Sequence, residues 1–93
     1  MSSKIATVEV AVPYKRAGNV ITQHNVSFGF FQEEDHFKLV PSLTHDELLV
    51  ANLPEELLFE MQDNKPVSLR GLKDTNLHVI QDAVKLLQQE HFL

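Results

Sequence analysis

Cysteine is absent from the 93-residue chain, so no disulfide restrains it and no thiol can serve as nucleophile or metal ligand. Glycine occurs only three times, at positions 18, 29 and 71, too scattered for the clustered glycines of a phosphate-cradling loop. No run approaches the ~20 apolar residues that a membrane-spanning helix needs. At the N-terminus, Glu9 interrupts the apolar residues before an export signal could form. The expectation is a cytoplasmic protein. Basic charge is scarce as well: eight Lys and Arg stand against thirteen Asp and Glu, a net charge of −5. A nucleic-acid binder neutralises phosphates with a basic footprint, and anionic membrane selects the same charge. Neither nucleic acid nor membrane is therefore an expected partner.

What is present points to a packed domain. Apolar residues make up 43% and charged residues 23%, a balance that supports a core rather than disorder. Residues 1–93 read as a single small domain. A domain of this size buries only about 60–65% of its unfolded surface, so self-association is a natural way to bury more. The charge is uneven: residues 1–43 carry four of each sign, whereas residues 44–93 carry four positive and nine negative.

In the first half the hydrophobic period is two. Ala6, Val8, Val10 and Val12 fall on one face, with Thr7 and Glu9 on the other, which predicts a half-buried strand ended by Pro13. Residues 13–19 form a loop, with Gly18 and Asn19 suited to a left-handed turn. From Val20 to Phe31, one face carries Thr22, His24, Val26, Phe28 and Phe30, and the other Ile21, Gln23, Asn25, Ser27, Gly29 and Phe31. A polar turn at 32–35 and a third strand from His36 to Val40, stopped by Pro41, complete a predicted antiparallel meander.

The second half turns helical. Thr44-His45-Asp46-Glu47 matches the capping box that starts a helix. Pro54-Glu55-Glu56 suits the first turn of a second helix with Leu57, Leu58 and Met61 on its apolar stripe. The same residues admit a hairpin turning through Asp63-Asn64-Lys65-Pro66; the helix is preferred for its start signal. Val67 to Leu69 predict a fourth strand, and Leu77, Ile80, Ala83, Val84 and Leu87 a final helix capped by Asp74 or Thr75. The predicted fold is thus α+β: a three- to four-stranded, mainly antiparallel sheet in the order β-β-β-α-α-β-α, with helices on one face. Its predicted core is Val8, Val10, Val12, Val26, Phe28, Phe30, Leu39, Leu48, Leu57, Met61, Leu69, Ile80, Val84 and Leu87.

Candidate chemistry is sparse. The five histidines are His24, His36, His45, His78 and His91, and none has the spacing that puts two on one helical face. Glu33-Glu34-Asp35-His36 is rich in ligand atoms but reads as a solvated turn, without the spaced oxygens and central glycine of a calcium loop. No metal and no cofactor is expected. His45 beside Asp46 and Glu47 is explained by the helix start. No serine stands in a Gly-x-Ser-x-Gly elbow, so an enzyme has no motif to support it. Two places remain. Ile21 and Phe31 put apolar groups on the otherwise polar outer face of the second strand, beside Gln23, and form a candidate partner or dimer face. His24 and His45 are candidates for a pocket between sheet and helices. The expectation is a small non-enzymatic protein-interaction or regulatory module, homodimeric through its sheet. The alternative is a small-ligand-binding or minor enzymatic domain using the histidine pocket.

Overall fold

The computed structural model describes residues 3–15, 21–70 and 74–93. Strand β1 (Ser3–Lys15) pairs antiparallel with β2 (Ile21–Gln32), and β2 with β3 (Phe37–Pro41). Helix α1 (His45–Ala51) follows, then β4 (Leu57–Gln62), β5 (Lys65–Arg70) and α2 (Asp74–Gln89). All five strands lie in one antiparallel sheet, in the spatial order of the chain. The α+β class holds, but the sheet has five strands rather than three or four. The element order is β-β-β-α-β-β-α.

The correction lies at residues 52–62. Asn52 takes a left-handed conformation (φ 56°), and the Leu53 amide bonds back to the Leu48 carbonyl, which closes α1 as a helix C-terminus. Pro54 stands just beyond it and is a stop signal for α1, not the start of a second helix. Leu57 and Phe59 then alternate with Leu58 and Glu60, the first pair buried and the second half-buried. Asp63 and Asn64 both have positive φ (52° and 65°), the two-residue turn whose twist matches that of flanking strands. The hairpin wins because it places Phe59, with no solvent exposure, in the core.

Pro13 also departs from expectation, since β1 continues through it to Lys15. A strand tolerates proline where no partner needs its missing N–H, and β1 lies at the sheet edge. Pro66 is accommodated in the same way on the opposite edge strand, β5. Pro41 closes β3 beyond the stretch, Phe37 to Leu39, that pairs with β4. The predicted turn at Gly18-Asn19, the first residue of the predicted second strand (Val20) and the break at Gly71 lie outside the described residues.

The core occupies the face of the sheet that the helices cover. Val8, Val10, Val12 and Tyr14 from β1 meet Val26, Phe28 and Phe30 from β2, with Leu39, Leu57 and Phe59 beside them. Leu48 and Ala51 of α1 and Val79, Ile80, Ala83, Val84 and Leu87 of α2 join the same cluster. Every predicted core residue whose side chain is described is buried except Met61, which is half-buried; Leu69's side chain lies outside that description. Tyr14, Leu53 and Val79 are buried without having been expected. Phe30, Phe37 and Phe59 stack with ring centroids 5.4–6.3 Å apart. The capping box forms as expected: the Glu47 amide donates to Thr44 Oγ1 (3.3 Å), and the Thr44 amide to Glu47 Oε1 (3.1 Å). Among the described residues no helix is long and apolar enough to cross a membrane.

Candidate functional site

The outer face of β2 is where the sequence suggests a partner surface. Gly29 sits at its centre, and the Phe31 ring folds back over it. A methyl group at Gly29 would lie 2.9 Å from Phe31 Cε1 and 3.6 Å from Lys4 Cε. The glycine is therefore the floor on which the ring lies, a known way to cover strand glycines with an aromatic. Lys4 and Lys38 are the cross-strand neighbours of Phe31 on either side. Lys38 Nζ stands 5.1 Å from the Phe31 ring centroid, 3.2 Å from Glu33 Oε1 and 3.8 Å from Glu56 Oε2. Phe31 is thus half-buried and engaged within its own chain. The described cover of the Phe31 ring is the Lys38 side chain.

Ile21 and Gln23 lie toward the other end of the same face. Ile21 is 63% exposed, and Gln23 is exposed. Ten residues separate Ile21 from Phe31, which at about 3.3 Å per strand residue is roughly 33 Å. The structure brings Ile21 and Gln23 together and leaves Phe31 apart from them.

The two candidate pocket histidines stand on different elements. His24, on the inner face of β2, is half-buried; its ring stacks on Tyr14 (centroids 4.1 Å apart), and Nε2 is 3.0 Å from Thr22 Oγ1. Both contacts fix the ring, which gives His24 a structural role at the distal end of the β1–β2 hairpin. His45 is exposed in the first turn of α1 and is not among His24's described partners. In the β2–β3 turn, His36 Nδ1 lies 2.7 Å from Asp35 Oδ1. That hydrogen bond, and then the charge of His36, holds the Asp35 carboxyl below its ordinary value. Among the described residues no three His, Asp or Glu side chains converge as metal ligands would.

A third surface is the free edge of β1. The Ser42 amide donates to the Ser27 carbonyl (2.9 Å), so Ser27 turns its backbone groups away from β1. Glu9, its cross-strand partner, must therefore turn its own N–H and C=O to the open side, as in any non-hydrogen-bonded antiparallel pair. The two-residue repeat carries Thr7 and Ala11 with it. Pro13 is in the same phase, which explains how a residue without N–H fits there. Toward the N-terminus, the extra residue of a bulge between Lys4 and Ala6 brings Lys4 into that phase too. Side chains of Lys4, Thr7, Glu9 and Ala11 are all exposed. Beside this edge runs a groove of about 210 Å³ walled by Glu9, Val10 and Ala11 and by Asp82, Lys85, Leu86 and Gln89 of α2. Neither His24 nor His45 lines it.

Reading the strands singly missed this edge, because strand order is a tertiary property. The proline inside an otherwise regular alternation was the available signal. No family model, curated protein or solved structure matches the chain.

Proposed function

We propose that this domain is a small non-enzymatic interaction module that self-associates through its sheet. One observation carries the reading: β1 is a thirteen-residue strand at the edge of the sheet, and its central residues direct unpaired backbone groups outward. Exposed edges of this kind template pairing with another chain. The opposite edge strand, β5, is six residues long and carries Pro66, a common way of discouraging such pairing. The outer sheet face supports the reading less strongly, since Phe31 is already engaged by Lys38. A cysteine-free composition fits residence in a reducing, cytoplasmic compartment. The test is sedimentation equilibrium of the purified chain over a wide concentration range. A dimer supports the reading, and a monomer at every concentration refutes it.

A further inference from the structure

We infer that two copies of the chain join β1 to β1 antiparallel, with the two-fold axis passing through Thr7, so that Lys4 of each copy faces Glu9 of the other. This rests on the self-association reading and gives it a surface and a register.

Charge and backbone chemistry select that register among those the edge permits. Lys4, Thr7, Glu9, Ala11, Pro13 and Lys15 present backbone groups in the outward phase, and the side chains of the first five share the outer face. Centring the pair on Glu9 would set the two Glu9 carboxylates opposite each other, and like charges directly across a pair are destabilising. Centring it on Val8 would leave each Glu9 diagonal to its copy with no cation opposite. Centring it on Ala11 would ask Pro13 for an N–H it lacks. With Thr7 at the centre, the bulge residue Ile5 drops out of the count. Lys4 then falls opposite Glu9 of the second copy, and the symmetry repeats the pair. Roughly six backbone hydrogen bonds form, two at each of three pairs.

The inner face agrees. Ala6 falls opposite Val8 of the second copy, joining two apolar residues beneath the new strand pair. Ser3 and Lys4 of the second copy run beside Glu9 and Val10, at the groove walled by Asp82 and Lys85 of α2. On the outer face the Glu9 carboxylate thus awaits the incoming Lys4 ammonium. Pro13 lies beyond the paired stretch.

Because the chain has no cysteine, single cysteines report the register without background. In a hydrogen-bonded antiparallel pair the facing Cα atoms are about 5.5 Å apart, within reach of a disulfide. Thr7→Cys should cross-link as a dimer on mild oxidation. Ala11→Cys should not, since eight residues then separate the two cysteines along the pair, roughly 27 Å. Glu9→Lys should weaken the dimer at least about tenfold by creating two like-charge pairs, and Lys4→Glu combined with Glu9→Lys should restore it. A dimer in which Thr7→Cys stays uncrosslinked, in which Ala11→Cys cross-links instead, or which is indifferent to Glu9→Lys overturns this register while the self-association reading stands. A chain that remains monomeric at every concentration overturns both and leaves the edge to a strand of a different protein.

Discussion

Strand β2 meets two different worlds on its two sides. Inward, Val26, Phe28 and Phe30 are at most 2% exposed and lie under the helices. Outward, Gln23 and Asn25 are exposed, and Phe31 is half-buried above a glycine with a lysine ammonium over its ring. Phe30 and Phe31 are neighbours in the chain and chemically identical. One is a keystone of the core and the other a lid on an open surface. Pleating alone separates them, because successive side chains of a strand point to opposite faces. Apolar character in a sequence therefore does not identify a binding face until the neighbouring strands are known.

That contrast can be broken from the inside first. Phe30→Ala should cost about 3–5 kcal/mol, the usual range for a fully buried aromatic, because it removes the ring that stacks on both Phe37 and Phe59. Native domains have only ~5–15 kcal/mol of stability in all, so a urea titration followed by circular dichroism should show a much lower midpoint. A loss below about 1 kcal/mol would mean that the core closes over the gap.

From the outside the effect should be smaller. Phe31→Ser removes a half-buried ring and the partner of Lys38, a loss of about 1–2 kcal/mol, with the far-ultraviolet spectrum unchanged. If β1 is the association edge, this variant should dimerise nearly as well as the wild type. A dimer lost in Phe31→Ser with folding intact would return the partner surface to the outer face.

Gly29→Ala sharpens the comparison further. The added methyl would sit 2.9 Å from the far end of the Phe31 ring, and a half-buried ring can swing aside. The expected stability change is under about 0.5 kcal/mol in either direction, since alanine also removes the entropic cost of a strand glycine. Phe31 ring resonances should nevertheless shift by NMR. Unshifted resonances would show that the ring does not lie on Gly29.

The smallest effect should come from pH. The folded chain holds Asp35 below its ordinary value through His36. A carboxyl with a depressed folded value adds stability above its unfolded value, and that increment fades as pH falls through the folded one. Asp35 is fully exposed to solvent, so the increment is slight. Asp35→Asn should lower neutral stability slightly and leave stability below the carboxyl's folded value unchanged, so that the acid limb flattens a little; an unchanged acid limb would show that the pair exerts no pull.

Much of the fold was legible because its signals are local. The alternation of valines in β1 and of Val26, Phe28 and Phe30 in β2 identified the buried faces, since a period of two maps directly onto a pleat. Thr44 and Glu47 announced the start of α1, since a capping box is complete within four residues. The stretch from Pro54 to Met61 was misread because Pro-Glu-Glu is a valid helix start taken alone. It became a stop only through the left-handed Asn52 before it and the paired strand after it. The site was legible in part: Ile21, Gln23 and Phe31 were placed on the correct side of β2, but their separation along the strand and the lysines around Phe31 depend on register.

The sequence by itself determined which residues of β1, β2 and β3 face the core, where α1 begins, and that the chain lacks thiol chemistry and basic excess. These follow from composition and from periods of two and 3.6, which neighbours in the chain impose. Only the tertiary structure decided that five strands pair in chain order, that Leu57 to Gln62 extend rather than coil, and that β1 has an open side. Strand pairing joins residues far apart in sequence, and the energy that selects one pairing comes from burying Phe30, Phe37 and Phe59 against one another, contacts that no local window contains.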